Sequence, residues 1–115
     1  MRYRAILFTL LISTAAPAFA HAMLLDSNPA ADTTVAPPAS ISLTFSEELA
    51  SAADITLKRD GAPVTLDGIT LASNYSVVTV KPKASLLPGK YVLTWHDVAR
   101  DDGHKASGSI DFTVK

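Results

Sequence analysis

Residues 41–45 read Ile-Ser-Leu-Thr-Phe, with apolar side chains at every second position and small hydroxyl residues between them. Because a strand turns successive side chains to opposite faces, this pattern predicts a strand with one buried face. The same signal recurs further along the chain. It appears at residues 55–58 before the turn pair Asp60-Gly61, and at 77–80 before Lys81-Pro82. It returns at Tyr91, Leu93 and Trp95 after Pro88-Gly89, and at Ile110, Phe112 and Val114. Turn residues at this short spacing predict an all-β sandwich or barrel. Phe45, Tyr91, Trp95 and Phe112 are expected to fill its core. Residues 46–53 (Ser-Glu-Glu-Leu-Ala-Ser-Ala-Ala) have enough helix formers for a turn or two of connecting helix.

Before the first strand lies a stretch of another kind. Residues 1–20 open with Arg2 and Arg4, continue through an apolar run at 5–12, and end on Ala18-Phe19-Ala20. A basic start, a short apolar centre and small residues before the break are the parts of a cleaved export signal. The run is too short for a spanning helix, which needs about 20 apolar residues. The mature product is therefore expected to be exported and soluble, a single domain over residues 21–115.

The chain carries ten basic and eleven acidic side chains. Without Arg2 and Arg4, eight basic groups face eleven acidic ones, a formal charge of −3. Such a balance argues against a nucleic-acid binder, which needs a basic patch. With no cysteine and only Met23 beyond the signal as a thioether, a metal site here has to rely mainly on nitrogen and oxygen donors.

Those donors are available. Cleavage after Ala20 makes His21 the first residue, whose α-amine and imidazole Nδ1 can close a chelate ring on one metal ion. Chelation by nitrogen suits copper(II), which heads the divalent affinity series and accepts tetragonal nitrogen and oxygen donors. Near the other end, Asp102-Gly103-His104 lies in the polar stretch 100–107. An aspartate and a histidine separated by one glycine can project to the same side of an extended segment. The set suits copper(II) and, less specifically, zinc or nickel. The plainer reading is that Asp102-Gly103 is a turn and His104 a solvated loop residue. His96 follows Trp95, so alternation turns it to the opposite face, toward solvent.

The order of these features resembles the CopC family of periplasmic copper-resistance proteins. The resemblance covers nearly the whole mature chain. It rests on His21 after the signal, Pro-Ala-Ala-Asp at 29–32, Ser-Leu-Thr-Phe-Ser-Glu at 42–47, Pro-Gly-Lys-Tyr at 88–91 before Trp95, and Asp102-Gly103-His104 before Gly108 and Phe112. It implies a Greek-key, immunoglobulin-like β-sandwich and copper(II) as the bound metal. The implied ligands are His21, Asp102 and His104, with Glu47 near the metal as a weak or outer ligand. It also implies an inner-membrane copper transporter of the CopD kind as partner; we expect a monomer. Family members that also bind copper(I) carry a methionine-rich segment, which Met23 alone does not supply. Two other functions are compatible with the fold. One is a copper-dependent oxidative enzyme using the same terminal chelate, although 95 residues leave little surface for a polysaccharide. The other is a metal-free adhesion or assembly module.

Overall fold

The computed structural model describes residues 22–115; the expected signal at 1–20 and His21 lie outside the described residues. Among the described residues, nine strands form two sheets. The strands are β1 (Leu24–Asn28), β2 (Thr33–Val35), β3 (Ile41–Phe45), β4 (Asp54–Arg59), β5 (Ala62–Pro63), β6 (Leu66–Leu71), β7 (Val77–Pro82), β8 (Gly89–Val98) and β9 (Lys105–Val114). One sheet has the order β1-β3-β7-β6 and the other β2-β9-β8-β4-β5. All neighbours are antiparallel except β2 and β9. No helix forms among the described residues, and the architecture is the expected Greek-key sandwich.

The alternation seen in the sequence is the alternation of burial. Ile41, Leu43 and Phe45 of β3 are buried, as are Val78 and Val80 of β7. Across the sandwich they meet Leu57 of β4, Tyr91, Leu93 and Trp95 of β8, and Ile110, Phe112 and Val114 of β9. The four expected core aromatics pack in two pairs. Phe45 and Trp95 meet edge to face at 6.0 Å; Tyr91 and Phe112, directly opposite across strands, stack at 5.2 Å. Tyr91 also donates its hydroxyl proton to the Leu87 carbonyl at 2.6 Å, so its polar end is satisfied where its ring is buried.

The β8–β9 hairpin has the longest strands of the fold. Its ten pairs run from Gly89↔Val114 at one end to Val98↔Lys105 at the other. On the inner face the pairs are Tyr91/Phe112, Leu93/Ile110, Trp95/Gly108 and Asp97/Ala106. Gly108 is required by packing: a Cβ there would collide with the Trp95 indole at Cζ2.

Residues 46–53 do not form the expected helix. Leu49 is fully buried and bridges Ala99. The Leu49 and Ala50 N–H groups donate to Tyr75 and Val98 carbonyls at 2.7 and 2.9 Å, and the Glu48 carbonyl accepts from Arg100 N–H at 2.8 Å. Backbone groups that a helix would pair internally are used instead to tie neighbouring segments together, so tertiary contacts override local propensity.

Candidate metal centre

The Asp102-Gly103-His104 sequence sits at the turn of the β8–β9 hairpin. The ladder is extended beyond Val98↔Lys105 by the Ala99 N–H, which donates to the His104 carbonyl at 2.8 Å. Within this closure, the Gly103 N–H donates to the Ala99 carbonyl at 3.1 Å. Gly103 has a φ of 70°, a left-handed conformation that costs a residue with a Cβ roughly 1–2 kcal/mol. The glycine is thus what lets the chain reverse between the two candidate ligands.

Across that reversal Asp102 grips His104 twice. Its Oδ1 accepts the His104 backbone N–H at 3.1 Å, and its Oδ2 lies 2.8 Å from Nδ1 of the imidazole. The backbone bond first, and the side-chain bond after it, hold the Asp102 carboxyl below its ordinary pKa of 3.8. The two side chains are 40% and 50% exposed, so their attraction adds little to stability. Its effect is orientation. With Nδ1 and Oδ2 side by side, a metal ion that took both groups would displace the proton between them. Each carboxylate oxygen also has a second lone pair that can accept a cation.

The connection 46–50 brings the N-terminal segment to the same end. The Met23 N–H donates to Ser46 Oγ at 2.8 Å, and the Ser46 N–H donates to the Met23 carbonyl at 2.7 Å. Ala22 is buried in the core cluster. Through Leu49–Ala99 and Glu48–Arg100 the same connection grips the hairpin turn. The chain immediately after position 21 and the Asp102–His104 pair are therefore fastened to one short segment at one end of the sandwich.

Of the candidate site residues, the structure joins Asp102 and His104; His21 is outside the described residues. No group of three or more His, Asp or Glu side chains converges among the described residues, so Glu47 does not complete a cluster with that pair. His96 is exposed on the outer face of its sheet, opposite Asp54 and Ser107, on the face that alternation predicts.

Two residues at this end escaped the sequence reading. Asp97 is 2% exposed on the inner face, two pairs below the Ala99–His104 closure. The Tyr91, Leu93, Trp95 alternation, continued one step, would have found it. Tyr75, on the β6–β7 turn, lies under the Arg100 guanidinium, 3.7 Å from its ring centroid, and no local pattern announces that contact.

Comparison with known proteins agrees with the fold and with the family resemblance. The CopC domain model matches residues 24–115. Copper resistance protein C of Escherichia coli is 34% identical over 121 residues, spanning 92% of this chain and 90% of the relative. Protein YobA of Escherichia coli K12 is 38% identical over 120 residues, spanning 100% and 94%. Among solved structures, PcoC, a methionine-rich copper resistance protein from Escherichia coli, superposes with a TM-score of 0.74 at 31% identity, covering 84% of this chain and 100% of its own. CopC from Methylosinus trichosporium OB3b superposes with a TM-score of 0.70 at 28% identity, covering 83% and 94%.

Proposed function

The chain belongs to the CopC family, and from that membership we propose that it is a periplasmic copper(II)-binding protein whose ligands are the amine and imidazole of a processed N-terminal His21, the imidazole of His104 and the carboxylate of Asp102. Membership carries a copper-binding role in copper resistance. The observation that favours these particular ligands is the double contact between Asp102 and His104, which holds an imidazole nitrogen and a carboxylate oxygen side by side at the end of the sandwich to which Ala22 and Met23 are fastened.

The donor set selects the oxidation state. Imidazole, amine and carboxylate suit copper(II). Copper(I) prefers several soft sulfur donors, and the protein has no cysteine and, beyond position 20, one methionine. In this respect it departs from the methionine-rich PcoC that it otherwise resembles. The half-exposed Asp102 and His104 suit a protein that takes up and passes on its metal, sequestering copper or delivering it to an inner-membrane transporter of the CopD kind. The protein binds copper as cargo and is not an enzyme.

The test is a copper(II) titration against a competing chelator, with the protein processed to begin at His21 and with a form carrying one extra residue before it. The extension turns the terminal amine into an amide and should weaken copper(II) strongly while leaving the fold intact. Intact-mass analysis of exported protein should place cleavage between Ala20 and His21. Equal affinity in both forms would remove the amine from the ligand set.

A further inference from the structure

The turn between β6 and β7 holds a residue in a conformation that its type rarely adopts. Tyr75 has a φ of 61°, in the left-handed region ordinarily left to glycine or asparagine. The turn is closed by the Tyr75 N–H donating to the Ala72 carbonyl at 2.9 Å and by the Asn74 side chain accepting the Ser76 N–H at 3.0 Å. These bonds use backbone and Asn74 atoms; none of them calls for a phenol ring at position 75. Strained backbone persists where the surroundings hold it and often marks a functional device.

The ring's contact lies in the hairpin turn. The Arg100 guanidinium stacks over it at 3.7 Å from the centroid, and Arg100 Nε lies 4.0 Å from the Glu48 carboxylate. Arg100 is two residues before Asp102 in the tip that carries the candidate ligands. The backbones are tied in the same order: Leu49 N–H to the Tyr75 carbonyl at 2.7 Å, and Arg100 N–H to the Glu48 carbonyl at 2.8 Å. Two turns from opposite sheets and the connection 46–50 thus meet around one cation and one aromatic face.

We propose that Tyr75 is a positioning residue for the metal end, its ring holding Arg100 and thereby keeping the hairpin tip in the form that presents Asp102 and His104 together. The proposal rests on those two residues being copper ligands. A tip that samples other conformers binds with an affinity reduced by the fraction of time spent in the competent form. Losing one exposed cation–π contact should raise the apparent Kd roughly two- to fivefold.

The experiment compares Tyr75→Phe, Tyr75→Ala and Tyr75→Gly in the processed protein by copper(II) competition titration, electron paramagnetic resonance and thermal melting, with His104→Ala alongside. Tyr75→Phe loses the hydroxyl that also interacts with Arg100 but keeps the cation-binding face, and should keep most of the native affinity. Tyr75→Ala and Tyr75→Gly should lose affinity equally and show a second copper(II) signal. The glycine variant should melt above the alanine variant, because it alone relieves the left-handed strain. Native affinity in both, or a loss that follows melting temperature and is larger for alanine, would overturn the positioning role. If His104→Ala loses copper while Tyr75→Ala does not, only the Tyr75 proposal fails; if His104→Ala binds normally, the ligand reading fails and this proposal with it.

Discussion

Asp102 and His104 are ordinary surface residues by exposure and distinctive by the way they are joined. The Asp102 carboxylate fixes His104 through both backbone and imidazole, so its removal should cost more than one oxygen donor. We expect His104→Ala to weaken copper(II) most and to change the nitrogen hyperfine pattern in electron paramagnetic resonance. Asp102→Ala should weaken it less, and His96→Ala, on the opposite face, should leave it unchanged. An effect of His96→Ala matching that of His104→Ala would reverse the assignment. The pH dependence has two separated parts. The Asp102 carboxyl is depressed in the folded chain, so its contribution is fully present above the ordinary carboxyl value of 3.8 and is lost as pH falls through the lower folded value. Protons also compete with the metal for the nitrogen donors. Copper should therefore leave on mild acidification while the hairpin tip is still intact. Parallel copper titrations and nuclear magnetic resonance of the tip at several pH values would check that order.

At the scale of elements, what could be read from the sequence depended on how many neighbours a strand has. The alternations at 41–45, 55–58, 77–80, 91–95 and 110–114 correspond to β3, β4, β7, β8 and β9, the five interior strands of the two sheets. The strands that the pattern missed are β1, β2, β5 and β6, all four of them sheet edges. An edge strand buries less and needs no clean period. β6 carries Asp67 and Gly68 at a register shift, and β1 reads as half-buried positions with exposed ones between them. The same limit applies to the site. Asp102-Gly103-His104 was legible because its residues are adjacent. Tyr75 against Arg100 was not, because the contact exists only once two sheets have packed. Gly108 belongs to this scale as well. Gly108→Ala should force the Trp95 indole out of position and destabilise the fold by roughly 1–3 kcal/mol, the range for overpacking a core. Chemical denaturation followed by Trp95 fluorescence would measure it; a neutral effect would mean the indole has room to yield.

For the whole molecule, the decisive feature is that the hairpin has two unlike ends. Val98 and Lys105 close the end that carries Asp102 and His104, while Gly89 and Val114 close the other. Lys115 N–H is bonded to the Val35 carbonyl at 3.0 Å at that far end. A strand of ten residues spans about 30 Å, so Lys115 lies about 30 Å from the candidate ligands. The two termini should tolerate alteration very differently: a tail added after Lys115 should leave copper(II) affinity unchanged, whereas one residue added before His21 should not. Affinity that fell with a C-terminal tail would contradict this separation. The rigid ladder also gives the domain a handle. Anchored to a surface through its last residue, every copy would stand with its copper end outward, like a row of probes presented at one height.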